Sequence, residues 1–284
     1  MPRKISISPQ ILEKLYYEER LTQAEIADVL GCSATTIARR MREYGLPTSR
    51  DHEEYWKRVP DKGIRCHWTP EIAYAVGLIV TDGSLSLDGR HITFTSSDYQ
   101  LVETFKGCLG LSNRITYSPP GSYTKRTVYR IQFSDVAFYE WLLGIGLMPN
   151  KSLRLGALNV PDEHFADFLR GHFDGDGCIY TYTDEYNIYK GKRYTYRRLY
   201  TLFSSSSQKH LKWLKDSLQR ILGTHGGLHP SIRAKSEGIS VLWRLKYAKK
   251  DSLRLLHWMY YSPDVPCLKR KRAIAKPFLA RSLD

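Results

Sequence analysis

Two short stretches nearly a hundred residues apart share one pattern, and nothing else in the chain restricts its possible folds as much. Residues 73–83 read AYAVGLIVTDG and residues 168–177 read FLRGHFDGDG. They align Gly77 with Gly171, Asp82 with Asp176 and Gly83 with Gly177. Thr69-Pro70-Glu71 and Pro161-Asp162-Glu163 precede them as helix starts, because proline in a first helical turn gives up no hydrogen bond. Small residues recur four apart: Ala73, Gly77 and Thr81 in one stretch, Gly171 and Gly175 in the other. Such faces let two helix backbones approach closely. Each helix then delivers an aspartate at its C-terminal end, just before a glycine stop.

The likeness continues downstream. Phe94 in HITFTSS corresponds to Phe203 in YTLFSSS, and YRIQF (129–133) to WRLKY (243–247), with apolar helices expected at 101–109 and 211–222. The pattern predicts an internal duplication, each unit a helix, a hairpin, a helix, a hairpin and a helix. Aspartate and phenylalanine are 12 residues apart in the first copy and 27 in the second, the excess falling in a tyrosine-rich hairpin around 182–197. Strand alternation turns Leu85, Leu87, Ile92, Phe94, Ile131 and Phe133 toward the helices. The opposite face then carries Ser84, Ser86, Thr93, Thr95, Arg114, Thr116, Arg130 and Gln132, matched in the second unit by Tyr180, Arg244 and Lys246. Polar and cationic side chains on a sheet face suit base edges and phosphates. Arg130/Arg244 and Gln132/Lys246 lead because they recur.

Paired carboxylates at helix C-termini are costly. The helix dipole disfavours each by about 0.3–1 kcal/mol, and two such charges ~4 Å apart repel by roughly 4 kcal/mol at an effective dielectric of 20. A cation is therefore expected between Asp82 and Asp176. An all-oxygen site suits Mg²⁺, with Mn²⁺ as a substitute, and the backbone carbonyls of Thr81 and Gly175 are further candidate ligands. Metal ions held this way activate water and stabilise a leaving oxygen in phosphodiester cleavage.

Lys and Arg number 43 against 29 Asp and Glu, a net charge of +14, which favours a polyanionic partner. With 42% hydrophobic and 25% charged residues, collagenous and wholly disordered chains are excluded. No run approaches the ~18 apolar residues of a spanning helix, and MPRKISISPQ lacks an apolar signal core. No membrane partner is expected, and the location expected is cytoplasmic, on the nucleoid, with an organellar origin as the alternative. Five scattered cysteines without a C-x-x-C pair fit a reducing compartment and argue against zinc.

Residues 9–46 read as three short helices, opened by Ser8-Pro9, by the capping box Thr22-Gln23-Ala24-Glu25 and by Ser33, with Gly31 and Gly45 as breaks. LTQAEIADVLGCSATTIARRMREYGLP resembles the helix-turn-helix DNA readers. In that geometry the third helix enters the major groove, which makes Ala34, Thr35, Thr36, Arg39 and Arg40 the base-reading candidates. Residues 51–69 mix charge, proline and glycine as a linker would.

Across residues 70–276 the doubled motif resembles the paired signature of LAGLIDADG homing endonucleases, in the single-chain class. The resemblance implies an α+β fold: two pseudo-twofold related αββαββα units with saddle-shaped antiparallel sheets, motif helices at their interface, preceded by the small all-α domain. It divides the chain into 1–50, the linker, 70–158, 159–276 and a tail at 277–284. It makes Asp82 and Asp176 metal ligands and catalytic. It places a lysine near the attacking water after the last helix of each unit, here Lys151 and Lys271, with Lys269 as a rival that otherwise touches phosphate. The implied activity is site-specific cleavage of both strands of a long, asymmetric duplex site by an intron-encoded monomer, leaving short 3′ overhangs. The helix-turn-helix arm would add DNA contacts. A non-catalytic transcription regulator with a LAGLIDADG-like domain and an intron RNA maturase are the alternatives. The chain departs from the family pattern at Val80, where an acid is usual and Asp174 keeps it, and at the polar Arg170 and His172. Ser96 and Ser205 stand where relatives have a strand-end polar residue supporting the metal.

Overall fold

Thirteen consecutive helical residues, Pro70–Asp82, contain no charged side chain between Glu71 and Asp82, so this helix has to be buried on all sides. It is: every residue from Ile72 to Val80 is buried. The structure, a computed structural model, describes residues 7–19, 21–46, 65–120, 126–235 and 238–280. The chain forms two units, Met1–Lys62 and Gly63–Asp284.

In the first unit, α1 (Pro9–Glu13) runs on into a π-helical turn (Lys14–Glu18), followed by α2 (Gln23–Leu30) and α3 (Ala34–Glu43). Ser8, Thr22 and Ser33 each accept a backbone N–H as N-cap, and Glu25 returns the bond to Thr22, closing a capping box. Gly31 takes the left-handed conformation at φ 63° that lets the chain turn tightly from α2 into α3. Leu12, Tyr16, Ile26, Ala27, Ile37 and Met41 close a small apolar core.

In the second unit the expected order repeats. The first half is α4 (Pro70–Asp82), β1 (Gly83–Leu85), β2 (His91–Ser96), α5 (Tyr99–Cys108), β3 (Thr116–Ser118), β4 (Val128–Ser134) and α6 (Val136–Gly144). The second is α7 (Phe165–Asp176), β5 (Gly177–Tyr189), β6 (Lys192–Ser205), α8 (Gln208–Leu222), β7 (Gly227–Lys235), β8 (Gly238–Tyr247) and α9 (Lys249–Met259). A further helix, α10 (Lys269–Leu279), follows. The sheets are antiparallel with equivalent orders, β1-β2-β4-β3 and β5-β6-β8-β7. Gly83 pairs with Phe94 and Gly177 with Phe203, so the two hairpins start in the same register. The αββαββα expectation holds for both halves.

Four expectations need correcting. Leu87 is 82% exposed: pairing of β1 ends at Leu85, and Leu87 stands in the turn that Gly89 closes at φ 76°, where strand alternation no longer applies. Residues 65–69 are part of the second unit, not a linker. Arg65 donates to the Leu109 carbonyl and to Asp135, and Trp68 packs edge-on against Trp141. Asp162–His164 forms a 3₁₀ turn ahead of α7 instead of its first turn. The helix that carries Lys271 continues past residue 276 to Leu279, because Phe278 is buried.

Candidate metal and nucleic-acid site

The motif helices meet backbone to backbone, and their glycines make that possible. A Cβ on Gly77 would stand 2.6 Å from the His172 nitrogen and closer still to the Phe168 oxygen. On Gly171 it would stand 2.9 Å from the Tyr74 carbonyl carbon and closer still to its oxygen. The same closeness reaches the ends of the helices. A Cβ on Gly175 would fall 2.8 Å from the Asp82 carboxylate and 2.6 Å from Thr81 Cβ. The Asp82 carboxylate thus lies against the last turn of α7, beside Asp176. Each helix passes directly into the first strand of its sheet, so the aspartates sit where the helix pair meets the sheets.

Both carboxyls keep an edge open to solvent while the packed helix ends crowd them from behind. Burial, and then repulsion from Asp176, pushes Asp82 up to about 6, against the pull of the Thr81 hydroxyl, Lys271 and Lys151. Burial also raises Asp176, with Lys271 and Lys151 opposing. Two carboxyls whose charged forms are disfavoured hold protons, or another cation, more tightly than free ones. This hard, all-oxygen donor pair fits a divalent ion such as Mg²⁺.

Lys151 and Lys271 are both buried, and the structure gives them unequal surroundings. Lys271 Nζ donates to the carbonyl oxygens of Phe173 (2.6 Å), Asp174 (2.8 Å), Gly175 (3.2 Å) and Gly177 (2.6 Å). Its three N–H bonds are fully occupied at the C-terminus of α7, where a cation offsets the helix dipole. Burial brings its pKa down to about 8. Lys151 Nζ donates to a single carbonyl, that of Gly83. Lys271 thus clasps the end of α7, whereas Lys151 meets one carbonyl only. The Gly175 carbonyl, a candidate metal ligand, already accepts from that ammonium. Lys269 has an exposed side chain, and its backbone N–H donates to Gln100.

The polar residues of the second motif, Arg170, His172 and Asp174, are buried and each finds its own hydrogen-bond partners. Asp174 accepts from the Tyr74 hydroxyl (2.8 Å) and from the Leu268 N–H at the start of α10 (2.7 Å). In the first half Val80 occupies the equivalent position and is plain core. Arg170, fully buried, donates to Asp167 (2.5 Å), the Met259 carbonyl (2.7 Å) and the Pro266 carbonyl (2.8 Å). It thereby pins the 259–268 segment that leads into α10. His172 is a packing histidine: its Nε2 lies 3.1 Å from Nε2 of His210, whose Nδ1 lies 3.0 Å from the Gly156 carbonyl. Because a carbonyl only accepts, His210 is protonated at Nδ1 and His172 donates from Nε2. Burial pushes His210 down to about 4. Ser96 and Ser205 accept from the Asp98 and Ser207 N–H groups and brace the strand ends. Sequence reasoning missed Tyr74 and His210 because their partners lie 100 and 38 positions away, and it missed Asp167 although Arg170 follows it at helical spacing.

The outer sheet faces carry the expected side chains in register. Ser84 pairs with Thr93, Thr93 with Gln132, and Thr95 with Arg130, which also pairs with Thr116. Arg130 donates to Gln132 at 2.5 Å. In the second sheet Ser204 pairs with Arg244, Leu202 with Lys246 and Tyr180 with Tyr200. Arg130 and Arg244 each face the residue after the anchoring phenylalanine, so their equivalence is a matter of register. Arg114 is exposed ahead of β3, and Ser86 is half-buried in the turn after β1. The ammonium of Lys246 stands 3.8 Å above the ring of Tyr200, and Tyr182 stacks on the same ring. Sequence reasoning passed over Tyr182, Arg198 and Tyr200, although counting in steps of two from Leu202 reaches Tyr200 and Arg198, and one such step from Tyr180 reaches Tyr182. In the first unit, Thr35 and Arg39 are exposed on α3; Thr36 pairs with Ser33, and Arg40 is held by Glu43 at 2.7 Å.

No protein-family model matches the chain, and no curated protein matches it. Among solved structures it is similar to full-length DUF199/WhiA from Thermatoga maritima, with 15% identity and a TM-score of 0.45 over 81% of this chain and 66% of that one. It is also similar to the I-LtrWI LAGLIDADG homing endonuclease bound to target DNA, with 12% identity, a TM-score of 0.45 and coverage of 74% and 89%. I-DmoI in complex with DNA and Ca gives 17% identity, a TM-score of 0.45 and coverage of 73% and 97%. Among the described residues no helix is long and apolar enough to cross a membrane.

Proposed function

We propose that this chain is a divalent-metal-dependent endonuclease that cuts both strands of double-stranded DNA at a specific site. One observation carries the reading: duplicated helices, packed glycine to glycine, bring Asp82 and Asp176 together at the head of two polar sheet faces. A bound Mg²⁺ would supply charge neutralisation and an acidified water at the scissile phosphate. Asp82 and Asp176 would hold it, and Lys151 adds positive charge beside them. Arg130, Gln132, Arg244, Lys246, Ser84, Thr93, Thr95, Arg114 and Tyr180 grip the duplex. Thr35 and Arg39 of the first unit, in a helix-turn-helix role, add further DNA contacts.

A metal-free DNA-binding regulator is the second reading, and one observation favours it. The Lys271 ammonium already occupies the Gly175 carbonyl, thinning the donor set around the aspartates. Incubating the purified chain and Mg²⁺ with duplex DNA carrying its own genomic locus without an intervening intron separates the two. The nuclease reading expects linearised DNA, lost in Asp82→Asn and in Asp176→Asn while binding persists. Binding without any metal-dependent cut moves the assignment to the regulator.

A further inference from the structure

The two halves repeat each other except in one element, and that difference is built into the first hairpin of the second sheet. β8 pairs with only Thr201–Ser205 of β6, whereas β5 and β6 remain paired with each other out to Tyr189 and Lys192. Beyond the sheet they form a free two-stranded ribbon. Both first hairpins leave from the glycine next to a motif aspartate and in the same register. Their reach from that site is therefore comparable residue by residue. The first turns back at Gly89 and the second at Gly191. At about 3.3 Å per residue these are roughly 20 and 46 Å.

The ribbon is held firmly at its base and is cationic at its tip. Leu199 is fully buried, the Arg197 guanidinium stands 4.6 Å over the ring of Phe278 on α10, and Arg198 grips Asp184 across the strands at 2.8 Å. Lys190, Lys192 and Arg193 surround the turn, with Lys190 and Lys192 lying over Tyr189 and Tyr194. Between Gly177 and Leu199 there are five basic residues and two acidic ones. A two-stranded ribbon is one of the two protein elements that the major groove of B-DNA admits.

We infer that this ribbon lies in the major groove of the duplex outside the cut, on the side of the repeat that begins at α7, and makes the two half-sites unequal in length. The inference rests on the proposed DNA-binding function. The extra reach of about 26 Å corresponds to roughly six to eight base pairs at 3.4 Å each.

The test is hydroxyl-radical footprinting of the full chain, without divalent metal, on duplexes that it selects from a pool of long randomised DNA. Two variants accompany it. One replaces residues 183–197 with Asn-Gly, closing the turn on the Tyr182–Arg198 pair. The other combines Lys190→Ala, Lys192→Ala and Arg193→Ala, which leaves the fold of the ribbon in place. Shortening should trim one arm of the footprint by about six to eight base pairs and spare the centre and the other arm. The triple variant should flatten the dependence of log K on log salt by about 2 to 3. A footprint and salt slope unchanged in both variants, with the centre still protected, overturn the ribbon's role alone. No protection anywhere overturns the DNA-binding function beneath it.

Discussion

Gly171→Ala adds one methyl group where the helix pair is tightest. The new Cβ would lie 2.9 Å from the Tyr74 carbonyl carbon, closer still to its oxygen, and 3.2 Å from the Gly77 Cα. All three are backbone atoms, so no side chain can swing away. Restoring ordinary contact separates the helices by about 1 Å, which opens the packing along their whole interface. Overpacking of this kind costs about 3–4 kcal/mol, set against about 1 kcal/mol that alanine returns in helix propensity. A net loss of about 2–3 kcal/mol follows. Gly107→Ala is the matched control: this glycine also sits in a helix, α5, but nothing lies within 4 Å of its Cβ. That change should stabilise by about 0.5–1 kcal/mol. Five of the six tryptophans lie in the second unit, so urea unfolding followed by tryptophan fluorescence reads it. A Gly171→Ala protein as stable as its parent would refute the close approach on which the meeting of Asp82 and Asp176 depends.

Three further outcomes are expected. Asp82 holds its proton up to about pH 6 in the folded chain, against 3.8 as the ordinary value. Between those values the folded form binds more protons than the unfolded, so the carboxyl subtracts stability from the metal-free protein as pH rises through this window. Asp82→Asn should therefore melt higher than the parent in EDTA above pH 6, and the parent alone should gain strongly from added Mg²⁺; parallel melting at both ends of the window counts against it. Lys271→Met should cost about 3 kcal/mol or more in urea unfolding, because four carbonyls lose a buried charged donor. Lys151→Met should cost clearly less, and equal losses would contradict the unequal roles assigned to the two lysines. Arg130→Ala and Arg244→Ala should each flatten the salt dependence of DNA binding by about 1 without shifting the melting temperature; an unchanged slope in both removes the outer sheet faces from the interface.

Much of this could be read locally. Thr22-x-x-Glu25 predicts its capping box because both partners are three residues apart. The pairings of Gly83 with Phe94 and of Gly177 with Phe203 follow from the recurrence of the same glycine and phenylalanine in both copies, although the hairpins between them differ in length by fifteen residues. Leu87 failed for a local reason as well: alternation was carried one step past the end of β1. The surroundings of the lysines were illegible. Lys271 lies about a hundred positions from the carbonyls it clasps, and no property of PCLKRKR separates a lysine that polarises water from one that caps a helix. Arg170 and His172 looked like foreign polar residues in an apolar helix for the same reason, since Met259, Pro266 and His210 satisfy them only after folding.

By itself the amino-acid order determined that the chain contains two copies of one structural unit, which residue types face the sheets' two sides, and that an acid ends each repeated helix. These follow from periodicity and spacing, which act over a few residues. Only the tertiary structure decided that Asp82 rests against Gly175, that Lys271 meets four backbone carbonyls while Lys151 meets one, and that one hairpin extends beyond its sheet on a base stiffened by α10. Burial, charge coupling and hydrogen-bond satisfaction depend on which distant segments meet, and that is settled by packing the whole core at once.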